Sequence, residues 1–487
     1  MLEDSTPDEV TAAAEAAAGA ARAFGAPDAT PLRIAALGAI ADAMDAAKAD
    51  LVALAQAESH LPEGRLNGEL TRTTYQLRMF AEYLAEGSWA EATIDTADPD
   101  WALGPKPDLR RLLVSVGPVA VYAASNFPFA FSVAGGDTAA ALAAGSPVVV
   151  KAHPGHLELS ARTAQIVIDA LASVGAPAGT FALVSGFEAG KQLVTEPAIK
   201  AGSFTGSIPA GRALYDLACA RPEPIPFYGE LGSLNPVFVT ARAVAARGEA
   251  LAKAFVGSYT LGTGQFCTKP GLLFLPADSD LLGVITDASA AVAAAPMLNA
   301  KIAAGYVNEL THLTSHPGVQ VLVQGAVTDG VATPTIVATD VTTLLADTGN
   351  LLRECFGPTS LVVTYADDAE LVAAATALTG NLTATVHGED DDATEVGELL
   401  AILRERAGRV LWNGWPTGVA VSWGMQHGGP WPATTASIHT SVGPTAIRRF
   451  LRPVSYQDMP DAALPKVLRR VGATPSVRRV NGEVQVP

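Results

Sequence analysis

The sequence predicts an α/β protein built from a Rossmann-like doubly wound domain, a second α/β domain and a small β arm. Three observations carry this. Short, continuously apolar runs alternate with helical stretches between residues 119 and 219, as in a parallel sheet covered on both faces. The alternation resumes between residues 271 and 414. Two polar stretches with Pro, Asp and Asn-Gly breaks lie outside both regions, and the terminal one reads as a strand that needs a sheet edge to pair with.

The elements follow in order. Thr6 to Leu84 is Ala-rich and reads as helices, opened by Asp8 and Glu9 in a first turn that favours acids. "ATIDTADPDWALGPKPDLRRLL" (Ala92 to Leu113) reads as a projecting hairpin. "VAVYAA", "PVVVKA", "FALVSG" and "AGSFTG" read as strands, and Phe129–Ala144, Leu157–Val174, 190–194 and Pro209–Cys219 as helices between and after them. "GLLFLP", "VQVLVQG", "TSLVVTYA", "LTATVHG" and "GRVLWNG" are the strands of the second region, with helices near Ser279–Ala295 and Ala393–Ala407. "SVRRVNGEVQV" reads as a terminal strand or hairpin that shares a sheet edge with the projecting hairpin, of this chain or of another subunit.

Composition narrows the function classes. Hydrophobic residues make up 49% and charged residues 17%, a globular balance, and the formal net charge of −17 repels phosphate backbones. Nucleic acid is therefore not expected as a partner. The uncharged stretch Leu112–Gly136 is interrupted by Gly117-Pro118, Asn126, Pro128 and Gly135-Gly136, so it reads as strand and turn, not as a membrane span. The acidic start lacks the basic region of a signal peptide. Three scattered cysteines make neither a disulfide framework nor zinc-ligand spacing. A reduced, cytoplasmic protein without a resident metal is expected.

Six stretches hold candidate chemistry. Cys267, in "LGTGQFCTKP", is a nucleophile if a neighbour activates it, and a buried small hydrophobe otherwise. Gly262 and Gly264 leave room there for a ligand to approach the backbone. Asn126, in "ASNFPF", ends an apolar strand where an amide can donate to an oxyanion. Lys151 ends "VVVK" at the same edge. Gly206 and Ser207 precede a helix whose free N–H groups suit a phosphate, without the usual GxGxxG. Glu230 lies among apolar and small residues, where desolvation is expected to raise its pKa toward a general-base range. Glu354, near Phe356, is a further carboxylate.

Together "SNFP", the strand-ending lysine, "FTGS", "ELG…NP", "GQFC" and "ECFGP" resemble the aldehyde dehydrogenase superfamily in order and interval, across nearly the whole chain. "VKAHPGH", "FYGELGSLNPVF" and "MQHGGPWPAT" look closest to its 2,5-dioxopentanoate dehydrogenases and the related NADP-dependent fatty aldehyde branch. The resemblance implies that Cys267 attacks an aldehyde carbon, Asn126 holds the oxyanion, and Glu230 activates the water that cleaves the thioester. It implies that Lys151 and Ser207 bind the cofactor's adenosine ribose and pyrophosphate, with Glu354 and Phe356 at the nicotinamide. Pro154 stands where NAD-selective members carry an acid, so NADP, or both cofactors, is expected, with Lys191 as a further cation. Phe127, Arg72, Thr268, Gln426 and His427 are candidate substrate contacts; Arg78 shares a helix with Arg72 but not its face. Trp423 and Trp431 are candidates for an apolar tunnel suited to long-chain aldehydes. Glu230 argues against acyl transfer to coenzyme A. No histidine stands in a recognisable partner motif for a Cys–His hydrolase. The implied division is 1–88 and 114–240 for the cofactor, 241–440 for catalysis, and 89–113 with 441–487 for the arm of a homodimer or homotetramer.

Overall fold

The computed structural model describes residues 3–470 and 476–486. Four helices, Pro7–Phe24, Thr30–Ala46, Lys48–Ser59 and Glu63–Glu86, account for the Ala-rich N-terminal region. The first starts where the local chemistry requires it. Thr6 and Glu9 form a reciprocal capping box, which satisfies two otherwise orphaned N–H groups. Leu66, Leu70, Leu77 and Phe80 recur on one face of the fourth helix and are fully buried. Burial of such side chains stabilises by roughly 1.5–3 kcal/mol each.

A five-stranded parallel sheet follows, in the order Phe181–Val184, Val148–Lys151, Val119–Tyr122, Ala201–Thr205, Phe227–Glu230. The chain adds strands first on one side of Val119–Tyr122 and then on the other. The resulting crevice lies beyond the carboxyl ends of the strands. Asn126, Lys151, Gly206 and Glu230 all sit at or just past those ends.

Helix does not begin at Phe129. It spans only Gly136–Ala144. The preceding turn is held by Glu69, whose Oε1 accepts from the N–H groups of Phe129 and Ala130 at 2.8 and 3.0 Å. A Cβ on Gly135 would stand 2.5 Å from the Ala130 carbonyl oxygen, so this reversal requires glycine there.

A second sheet has seven strands in the order Gln320–Val323, Thr335–Asp340, Thr359–Tyr365, Leu272–Pro276, Val237–Val239, Asn381–His387, Ala407–Trp412. The first is antiparallel and the rest parallel. The five anticipated strands are present. The sequence reading missed Val237–Val239 and Thr335–Asp340, and the helices Ala241–Thr260 and Ala300–Thr314. Leu272–Pro276 places Cys267 just before its amino end, facing the carboxyl edge of the first sheet.

The arm is a sheet ordered Leu451–Gln457, Leu109–Ser115, Thr93–Asp95, Arg478–Val480, Glu483–Gln485. Asn481 and Gly482, both at positive φ, turn the terminal hairpin, as two-residue hairpin loops demand. Its edge pairing is found within this chain: Thr93 aligns with Arg479 in a parallel ladder. The tail thus pairs with the projecting hairpin as the sequence predicts, because the antiparallel pairing of Thr93–Asp95 with Leu109–Ser115 leaves a free edge beside it. Buried Arg110 fixes the arm through Asp108 at 2.8 Å and Asp461 at 3.0 Å. Among the described residues no helix is long and apolar enough to cross a membrane.

Candidate active site

Glu230 ends the last strand of the five-stranded sheet, and Cys267 precedes the central strand of the seven-stranded one. His427 joins them. Its Nε2 lies 3.6 Å from Cys267 Sγ and 2.9 Å from Glu230 Oε1. It comes from the irregular segment that precedes the 3₁₀ turn Pro444–Phe450. Ser441 closes the group: its Oγ donates to Glu230 Oε2, and its N–H donates to the His427 carbonyl at 2.9 Å. Glu230 and His427 are buried, whereas Cys267 is half-buried and reachable.

Two sequence expectations change here. Burial does act to raise the Glu230 pKa, but the His427 charge, bonds from His427 and Ser441, and Arg449 outweigh it and hold the carboxyl below its usual range. His427 was considered only as a donor to substrate, and no histidine was expected beside the thiol. Burial pushes the imidazole down, yet the Glu230 charge and Cys267 carry it up to about 10. The two therefore form a buried ion pair, with the imidazolium facing the sulfur.

The loop that presents Cys267 is set by three successive left-handed residues, Gly262, Thr263 and Gly264. The space above the glycines is already filled. A Cβ on Gly264 would overlap the Gly357 carbonyl, and one on Gly262 would meet the Phe266 ring. Asn235 Nδ2 then ties the loop down by donating to the carbonyls of Cys267 and Lys269, at 2.8 and 2.9 Å. Buried Lys269 spends its ammonium on the carbonyls of Cys355, Gly357 and Thr359. Thr268 is buried between these anchors.

Asn126 reaches the same loop: its Nδ2 donates to the Gln265 carbonyl at 3.1 Å. Arg65 donates to the Asn126 carbonyl at 2.6 Å, with its guanidinium over the rings of Phe127 and Phe266 at 5.0 and 4.6 Å. Arg65, Glu69 and Arg72 occupy one face of the helix Glu63–Glu86 at four- and three-residue steps. Arg72 lies over Phe131 at 5.4 Å, and its Nε and Nη2 are buried without a protein hydrogen-bond partner. Burial lowers its pKa, while Glu69, Cys267 and Glu230 act in the opposite direction, which places Arg72 within electrostatic reach of Cys267. Arg78 instead binds Asp42 and Asp45 at the surface. The sequence reading passed over Arg65 and Glu69, although their helical spacing to Arg72 was a usable signal.

Other candidates lie apart from the thiol. Gln426 donates to the His439 carbonyl at 2.8 Å. Trp423 stacks edge-on against Tyr83 and Trp431 lies under Arg212, and both are exposed. Lys151 is half-buried at its strand end; burial, then the charge of Lys301, lowers its pKa. His153 is kept neutral by burial and by His156, Lys151 and Lys301. Pro154 is exposed. Gly206 and Ser207 are exposed at the start of the helix Ile208–Ala220, and Ser207 makes no side-chain cap. Lys191 is engaged at the surface by Glu188 and Phe187. Glu354 is packed against Gly232. Burial raises its pKa to about 7 against the opposing effects of Lys269 and the Ser233 N–H. Phe356 is half-buried two residues on.

Comparison with known proteins shows the family. Residues 2–450 match the aldehyde dehydrogenase family. The alpha-ketoglutaric semialdehyde dehydrogenase of Acinetobacter baylyi is 45% identical over 434 residues, covering 88% of this chain and 82% of that protein. Alpha-ketoglutaric semialdehyde dehydrogenase 2 of Azospirillum brasilense is 47% identical over 456 residues, covering 92% and 87%. A lactaldehyde dehydrogenase structure shares the fold with a TM-score of 0.78 at 20% identity, covering 93% of this chain and 92% of that one. An NAD-dependent aldehyde dehydrogenase from Sinorhizobium meliloti does so at 0.77 and 22%, covering 93% and 87%. With a family match over residues 2–450 and relatives at 45–47% identity over most of its length, the chain belongs to the aldehyde dehydrogenase family and is an oxidoreductase.

Proposed function

We propose that this enzyme oxidises 2,5-dioxopentanoate to 2-oxoglutarate, and that NADP is its preferred cofactor. The observation that carries the substrate assignment is Arg72, a buried guanidinium with unspent donors in reach of the Cys267 site. A charged donor left unpaired costs free energy, and a substrate carboxylate would satisfy it. The relatives named for this semialdehyde support the same reading.

In the reaction, Cys267 Sγ attacks the aldehyde carbon and its proton leaves to solvent. The His427 imidazolium 3.6 Å away stabilises negative charge on sulfur. The Asn126 amide and the Cys267 N–H hold the thiohemiacetal oxyanion. Bound NAD(P) supplies the acceptor for the hydrogen and two electrons that leave this carbon. Glu230 then takes a proton from water, whose oxygen attacks the resulting thioester, and Cys267 departs.

The cofactor side fits a dinucleotide phosphate. Lys151 and Lys301 bring like charges together beside exposed Pro154, and a 2′-phosphate would relieve their repulsion. Ser207 and the adjoining helix N-terminus suit the pyrophosphate, and Glu354 and Phe356 the nicotinamide side. The same reading keeps 1–88 with 114–240 as the cofactor portion, 241–440 as the catalytic portion, and 89–113 with 441–487 as an assembly arm. The arm's terminal strand Glu483–Gln485 is exposed, with Val484 and Val486 open, and the edge strand Ala407–Trp412 exposes Val410 and Trp412. Apolar edges of this kind favour a homodimer or homotetramer.

The test is kinetic. kcat/KM should be highest for 2,5-dioxopentanoate with NADP, against a long-chain aldehyde and against NAD. Arg72→Ala should raise KM for dioxopentanoate at least about tenfold, a loss of about 1.4 kcal/mol, while leaving an uncharged short aldehyde nearly unchanged. Equal loss on both substrates would remove Arg72 from the assignment.

A further inference from the structure

The same three side chains that surround the reacting sulfur make a second kind of site. Glu230, Cys267 and His427 each direct one ligand-capable atom into a space where all three atoms lie within 4.8 Å of one another. The donor set is carboxylate, thiolate and imidazole. Zinc takes these ligands, commonly three from protein with a fourth position left open. The spacing also fits. Zn–S of about 2.3 Å and Zn–N of about 2.0 Å at a tetrahedral angle put sulfur and nitrogen about 3.5 Å apart. Cys267 Sγ and His427 Nε2 stand 3.6 Å apart. Glu230 Oε1 and Nε2, at 2.9 Å, need to open by only about half an ångström.

With Zn²⁺ bound to carboxylate, thiolate and neutral imidazole, the charges within the group sum to zero. The anchors of the group persist: Glu230 keeps its bond from Ser441, and the Cys267 loop keeps Asn235.

We infer that the active-site trio Cys267–His427–Glu230 captures Zn²⁺ reversibly, one ion per chain, as an inhibitory plug that competes with the aldehyde. The ion is not a cofactor in this assignment. It occupies the nucleophile and the base together and leaves its fourth position to water.

The experiment uses chelator-treated whole enzyme without NAD(P), titrated with Co²⁺ as the spectroscopic stand-in. Binding should give a thiolate-to-cobalt charge-transfer band that saturates at one metal per chain and that Zn²⁺ displaces. Cys267→Ser should lose the band, Cys219→Ser should keep it, and His427→Ala should weaken binding more than about tenfold. Zn²⁺ should abolish turnover, with full recovery on adding a chelator and protection by aldehyde. No band in the folded wild type, or a band that survives Cys267→Ser, overturns the inference. Because the band needs no turnover, it is read independently of the substrate assignment. Inactivity on dioxopentanoate with the band present refutes only the assigned substrate.

Discussion

At the scale of single residues, the chemistry depends on how charges are paired away from water. His427 lowers the proton affinity of Glu230, so the acid limb of the kcat profile should lie at lower pH in the wild type than in His427→Asn. The substitution removes a positive charge and raises the carboxyl's pKa. A limb that stays in place would show that Glu230 does not feel the imidazole. Glu354 behaves in the opposite sense. Its folded pKa is raised to about 7, so its contribution to stability is present below the unfolded value and is lost as pH rises through about 7. Glu354→Gln should therefore be the more stable protein at about pH 8, by up to about 3 kcal/mol, with the gain shrinking toward about pH 5. Paired thermal melts at the two pH values check this. Cys267, Asn126 and Glu230 were legible in the sequence because each sits in a short motif at a strand end or tight turn. His427 was visible as a residue but not as a partner, because the loop that carries it has no periodicity and lies 160 positions from the cysteine.

At the scale of elements, the helix Glu63–Glu86 and the turn after Val119–Tyr122 form one unit. Glu69 holds the turn by two N–H groups, and the turn in turn aims Asn126 at the cysteine loop. The apolar composition of residues 129–144 reads as continuous helix, but composition does not report a buried carboxylate that binds backbone from a distant helix. Gly135→Ala would press a methyl against the Ala130 carbonyl. It should lower Tm and reduce kcat more than it changes cofactor affinity, since the strained turn carries Asn126 and not Lys151. Differential scanning fluorimetry with steady-state kinetics separates the two effects. Parallel strands were easily read from their apolar runs. Val237–Val239 escaped because three residues give too short a run to register beside the conspicuous "ELG" segment.

At the scale of the molecule, the five- and seven-stranded sheets bring Glu230 and Cys267 together through His427, and the arm is a separate sheet. Alternation along the chain predicted the two α/β regions and the existence of the arm. The tail's Asn-Gly pattern predicted its pairing with the projecting hairpin, but the register between partners 385 residues apart is set by three-dimensional proximity. Deleting residues 476–486 should leave the body folded, because its clusters draw nothing from this segment except Val480 packed on the arm. It should shift the particle mass measured by light scattering toward the monomer. Unchanged mass would place assembly elsewhere.

Lys269 has a practical consequence for redesign. Its single ammonium fastens the segment 355–359, assigned above to the nicotinamide side, to the loop that carries Cys267. Efforts to retune coenzyme choice by editing 353–358 will therefore also move the thiol, and gains there will not combine independently with edits at 262–268. Libraries that vary both stretches together should find solutions that stepwise screening of either one discards.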